Sequence, residues 1–110
     1  FHHTCGNVRL LLPDLIETGI DVLNPVQPVP GMEAARLVKD FGRDICFHGG
    51  ADTIKMLRGS TEGVREGTRQ LCRDFSGGHW IVSSANHFQN DIPPENVCAL
   101  FDTVKEFYKK

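Results

Sequence analysis

His3-Thr4-Cys5 is the densest piece of chemistry in the chain, an imidazole and a thiol two residues apart. On an extended segment, residues i and i+2 point the same way, and Zn²⁺ accepts imidazole nitrogen and thiolate sulfur together. A zinc with three protein ligands keeps one position open, where it can bind a thiol substrate and stabilise its thiolate. The third ligand then has to come from another loop, and His87 and His48 are the candidates. The bland reading of the same pair is a hydrogen-bonded histidine beside a packed thiol.

Other residues offer two readings each. His48 precedes Gly49-Gly50 and is either a ligand or substrate contact or a polar plug in the mouth of the sheet. Asp52 and Asp91 suit general acid–base work and equally suit capping of helix N-termini. Arg9 either meets a carboxylate substrate or is solvated, and His79 falls at the opposite end of its strand, as a surface or cap residue. Cys46, Cys72 and Cys98 sit in apolar periodic stretches, where cysteine behaves as a small hydrophobe, and read as core.

The elements that must position these groups alternate in type. Phe1–Thr4 reads as the end of a strand, and Asn7 as the cap of a helix with Val8, Leu11, Leu12, Leu15 and Ile16 on its apolar face and Gly19 as its stop. Ile20–Asn24 is a β-rich run closed by Pro25, and the prolines from Pro25 to Pro30 form a loop. A helix over Met32–Phe41, a strand over Ile45–His48 and a short turn over Thr53–Leu57 follow. A longer helix starts near Thr61, with Val64, Thr68, Leu71, Cys72 and Phe75 buried, and Trp80–Ser84 forms a fourth strand. Pro93 and Pro94 open a final helix carrying Val97, Leu100, Phe101, Val104, Phe107 and Tyr108.

Strands and helices in strict alternation predict α/β architecture, parallel (β/α) units without an internal linker, and four such units are about half of a TIM (β/α)8 barrel. In such sheets ligands bind at the carboxyl ends of the strands. Four of the five histidines and the one loop cysteine fall on that side, whereas the opposite loops are plain helix stops.

Composition narrows the function classes. Twelve basic against fourteen acidic residues give a net charge of −2 with the signs interspersed, which argues against nucleic acid or an anionic membrane as main partner. With 40% hydrophobic residues and no long apolar run, the 110-residue chain reads as soluble, globular and cytoplasmic. It opens on Phe1 and runs at once into a functional-looking loop, the expectation for a piece of a larger enzyme. Half a barrel exposes two sheet edges, so the piece alone is expected to form a homo-oligomer, and with half of the barrel's site residues outside it, to be inactive.

Taken together, His-Thr-Cys-Gly-Asn-Val (His3–Val8), the run from Leu11 to Gln27 ending Leu-Asn-Pro-Val-Gln, Gly-Gly-Ala-Asp-Thr (Gly49–Thr53) and Asn-Asp-Ile-Pro-Pro-Glu-Asn-Val (Asn90–Val97) resemble the uroporphyrinogen decarboxylase superfamily, in its C-terminal portion, over essentially all of residues 1–110. The resemblance implies two chemistries. One is methyl transfer linked to a corrinoid, with a thiol or related acceptor and zinc held by a His-x-Cys pair plus a distant cysteine. The other is cofactor-free decarboxylation of the acetate side chains of the tetrapyrrole uroporphyrinogen. His3 and Cys5 fit the first. The column that holds the decarboxylase's substrate histidine or the methyltransferase's distal cysteine falls on Asn86, with His87 its neighbour. The expectation is therefore a zinc set of His3, Cys5 and His87, with Asn24, Gln27, His48, Asp52 and Asn86 contacting substrate.

Overall fold

The computed structural model describes residues 1–109. Four strands, β1 (His2–His3), β2 (Val22–Asn24), β3 (Cys46–Ala51) and β4 (His79–Ser84), form one sheet in sequence order, every neighbouring pair parallel. Helices α1 (Leu12–Glu17), α2 (Ala34–Phe41) and α3 (Thr61–Asp74) make the crossovers, and α4 (Pro94–Tyr108) closes the chain. The alternation expected from the sequence is the alternation observed. No helix among the described residues is long and apolar enough to cross a membrane.

Register sorts the strand residues onto two faces. Leu23 pairs with Phe47, and Phe47 with Trp80. This row faces the helices: Leu23 and Phe47 are fully buried in a cluster with Val8, Leu12, Leu37, Ile45 and Phe75. Complete burial of one such side chain is worth about 1.5–3 kcal/mol. Because side chains alternate along a strand, the neighbouring row faces the other way. His3 pairs with Asn24, and His48 with Ile81. One step past the Leu23–Phe47 pair, Asn24 stands beside His48. Three polar side chains from three strands thus share one row on the face that the helices leave uncovered.

The first helix departs from expectation. Arg9–Leu11 is a 3₁₀ turn, and α1 begins only at Leu12, with Pro13 in its first turn. A 3₁₀ turn has three residues per turn instead of 3.6, so the apolar stripe slips in phase and Leu11 is rotated out to 55% exposure. Asn7 still accepts the Arg9 amide (3.1 Å), and Gly19, at φ +98°, ends the segment in the left-handed region open to glycine.

The last helix is rotated too. Its buried stripe is Asn96, Ala99, Leu100 and Thr103, an i, i+3, i+4, i+7 set. Phe107 and Tyr108 are exposed and stack edge-on to each other. Asn96 explains the phase: it is buried, and its Nδ2 donates to the carbonyls of Leu57 and Gly59 (2.8 Å each) while its Oδ1 accepts from Thr61 Oγ1 (2.9 Å). A polar side chain saturated in this way can sit inside, and it ties α4 to the loop before α3. Of the three cysteines read as core, Cys72 is buried, Cys46 half-buried and Cys98 exposed. Cys98 lies outside the α4 stripe that Asn96 sets.

Candidate functional site

Each strand hands the chain to a loop at the same edge of the sheet, and the candidate residues gather there. Cys5 Sγ lies 3.6 Å from His3 Nε2. His3 Nδ1 lies 2.5 Å from Asn24 Oδ1, and Asn24 Nδ2 lies 2.6 Å from His48 Nδ1 and 3.3 Å from the His48 carbonyl. Phe1 meets the His48 ring edge-on, with centroids 5.3 Å apart. The four residues form a continuous chain across three strands, from an exposed thiol at one end to a half-buried imidazole at the other.

Two adjoining cavities open at this edge. One, of about 480 Å³, is lined by His3, Cys5, Asn24, Ser84, Asn86 and His87 among others. A second, of about 270 Å³, has Gln27, Asp52 and Asn86 in its wall. Asn86 belongs to both, so the substrate residues expected from the sequence divide between two neighbouring hollows with Asn86 on the ridge. His48 lines neither and joins the site through Asn24. A larger cavity of about 580 Å³ lies beneath the β2–α2 loop against α3. Among the described residues its charged walls are Glu33, Lys55 and Asp74, with no histidine or cysteine.

The ligand set expected from the sequence assembles in part. Among the described residues no three His, Cys, Asp or Glu side chains come together as a metal-holding group. His3 and Cys5 stand as a pair. His87 shares their cavity, exposed on a loop turned by Asn86, whose Oδ1 accepts the His87 amide at 2.8 Å.

Several polar residues have structural work. Neither Asp52 nor Asp91 caps a helix as expected: Asp52 Oδ1 accepts the amides of Ile54 and Lys55 (2.8 and 3.0 Å) and closes the turn after β3, and Asp91 is ion-paired with Arg58 at 2.7 Å, α4 starting at Pro94 without a side-chain cap. Arg9 is neither solvated nor aimed at the rim: it pairs with Asp40 and lies over the Phe41 ring. Gln27 Oε1 accepts the Gly6 amide at 2.6 Å, which fixes the loop after Cys5. Cys46 precedes His48 by two residues on the same sheet face, and burial pushes its thiol up from the ordinary value.

Backbone geometry holds the row in place. Gly49 and Gly50 take φ of +124° and +91°, the Gly50 amide donates to the Pro25 carbonyl at 3.0 Å, and the Asn24–Pro25 peptide is cis. A methyl group on Gly49 would overlap the Pro25 carbonyl oxygen. Trp80 Nε1 donates to the Gly49 carbonyl at 3.0 Å, and its ring stacks on Phe75 with centroids 4.7 Å apart. Sequence reasoning missed Phe1, Ser83 and Ser84 as residues of the rim. The signal for Ser83 and Ser84 was position alone, at the carboxyl end of β4, and Phe1, which precedes β1, had none.

A four-stranded parallel sheet with helical crossovers and a polar rim at the strand ends defines an α/β fold of partial-barrel type. The uroporphyrinogen decarboxylase (URO-D) family model matches residues 1–107, and the chain belongs to that family. Among solved structures it is similar to a methyltransferase from Methanosarcina mazei, at 25% identity and a TM-score of 0.79, over 97% of this chain. The match covers 31% of that protein, so this chain spans about a third of its length. No curated protein matches the chain.

Proposed function

We propose that the protein carrying this chain is a zinc-assisted methyltransferase that works with a corrinoid and a thiol or related acceptor. The observation that carries this reading is the His3–Cys5 pair. Ligand bonds of about 2.0–2.1 Å to nitrogen and 2.3 Å to sulfur, at a tetrahedral angle, leave a ligand-to-ligand edge of about 3.6 Å. Cys5 Sγ and His3 Nε2 are 3.6 Å apart, a separation that matches this edge. The similarity to a methyltransferase supports the same reading. In this assignment His3 and Cys5 are ligands, and His87 is the third once its loop swings inward. Bound zinc would supply a Lewis acid that keeps a thiol substrate as thiolate.

The chain's own residues do the rest. Asn24 orients the His3 ring through Nδ1, the outer hydrogen bond that metal-binding histidines ordinarily make. Asn86, Gln27 and Asp52 border the hollows in which substrate would lie. Zinc content of the intact protein tests the proposal. About one zinc per chain is expected, lost in Cys5→Ser together with methyl transfer from methylcobalamin to a thiol. Absence of zinc, or activity unaltered by Cys5→Ser, would refute it.

The family match favours a second reading, decarboxylation of the acetate side chains of uroporphyrinogen with no metal. There the same rim would bind a tetrapyrrole's carboxylates. Turnover of uroporphyrinogen in the presence of a chelator would decide for it.

A further inference from the structure

We infer that Asn24 is a positioning residue that imposes opposite tautomers on the two histidines flanking it. His3 is held with its proton on Nδ1 and its Nε2 lone pair free to accept; His48 is held with its proton on Nε2, free to donate. The assignment follows from one group whose hydrogen-bonding character cannot change. The backbone carbonyl of His48 only accepts, and it lies 3.3 Å from one end of the Asn24 amide. That end is therefore the NH₂ group, which orients the whole side chain. The opposite end, Oδ1, only accepts, so His3 Nδ1, 2.5 Å away, has to carry a hydrogen. The second NH₂ hydrogen points to His48 Nδ1 at 2.6 Å, so that nitrogen has to be bare. Asn24 then has both donors and its acceptor engaged, and neither ring can reverse without breaking a bond to it.

The consequence is a rim of two unlike functions set by one amide. His3 Nε2 faces Cys5 Sγ as an acceptor, for the thiol hydrogen or for a metal. His48 Nε2–H has no partner among the described residues and, because His48 lines neither hollow, would need a substrate that extends past Asn24 to be used as a donor. For that substrate role the inference rests on the function proposed above. The tautomers themselves exist without metal or substrate, so the two ideas fail separately.

Long-range ¹H–¹⁵N spectra of ring-labelled histidines in the metal-free intact protein, at about pH 8 where an ordinary histidine is neutral, read the tautomers directly. The expected result is a protonated Nδ1 and bare Nε2 for His3, with the reverse pattern for His48. In Asn24→Asp the NH₂ group becomes a second acceptor of the same shape. His48 is then expected to move its proton to Nδ1 while His3 keeps its pattern. In Asn24→Ala both rings relax to the mixed pattern of solvated imidazole. A wild-type His48 protonated at Nδ1, or a His48 pattern that Asn24→Asp leaves unmoved, would overturn the inference. Should a variant fail to fold, the wild-type spectrum alone decides, because a merely space-filling Asn24 predicts mixed tautomers in both rings.

Discussion

Asn96→Ala removes the anchor between α4 and the loop that leads into α3. Three hydrogen bonds go with it: Nδ2 to the Leu57 and Gly59 carbonyls, and Thr61 Oγ1 to Oδ1. They are not equal. Leu57 is fully buried, so its carbonyl loses its partner out of reach of water, a penalty of about 1–3 kcal/mol. Gly59 and Thr61 are more exposed and rehydrate, at about 0.5–1 kcal/mol each. The sum is about 3 kcal/mol, and the cavity left by the side chain adds to it. Urea unfolding followed by circular dichroism is expected to show the midpoint falling by roughly 1–2 M. Thr61→Val, which loses a single bond, is expected to cost about 1 kcal/mol, and the double variant less than the two together because the bond is shared. A loss below about 0.5 kcal/mol in Asn96→Ala would refute the reasoning, since no buried carbonyl could then depend on this side chain.

Two further predictions concern packing and protonation. Gly49→Ala places a methyl group against the Pro25 carbonyl and forces a positive φ on alanine; a loss above about 2 kcal/mol is expected, and unaltered thermal stability would contradict it. Burial pushes the Cys72 thiol up, a shift that the neighbouring Arg73 charge only partly opposes. The folded state therefore holds this proton more tightly than the unfolded chain does. Stability is full below the ordinary thiol value of about 8.5 and falls as pH rises beyond it. Cys72→Ala is expected to flatten the alkaline part of the stability profile, and an equally steep profile would count against the assignment.

Much of the fold was legible because its signals were local. Hydrophobic periodicity and the glycine and proline stops fixed the order of strands and helices, and that order leaves few topologies open. Phases were not legible. Leu11 was expected on an apolar face, but a 3₁₀ turn rotated it outward, and nothing in the string Arg9-Leu10-Leu11 announces that turn. The burial of Asn96 has no local signal, because its partners lie 35 to 39 positions away. The site shows the same division. His3-x-Cys5 could be read from spacing, and Asn24, Gln27, His48, Asp52 and Asn86 from their place at strand ends. The order in which they touch depends on register, which sets His3 beside Asn24 and Asn24 beside His48. Gln27 and Asp52, close to the rim in sequence, turn their oxygens to backbone amides instead.

The central claim is that parallel strands deliver His3 and Cys5 to one rim as a ready-made pair of metal ligands. X-ray absorption at the zinc edge of the intact protein tests it most directly. The account predicts sulfur scattering at about 2.3 Å together with nitrogen at about 2.0–2.1 Å, unaltered in Cys46→Ser, whereas Cys5→Ser loses the zinc and with it the whole spectrum. A zinc shell of nitrogen and oxygen alone, or sulfur that survives Cys5→Ser, would contradict it.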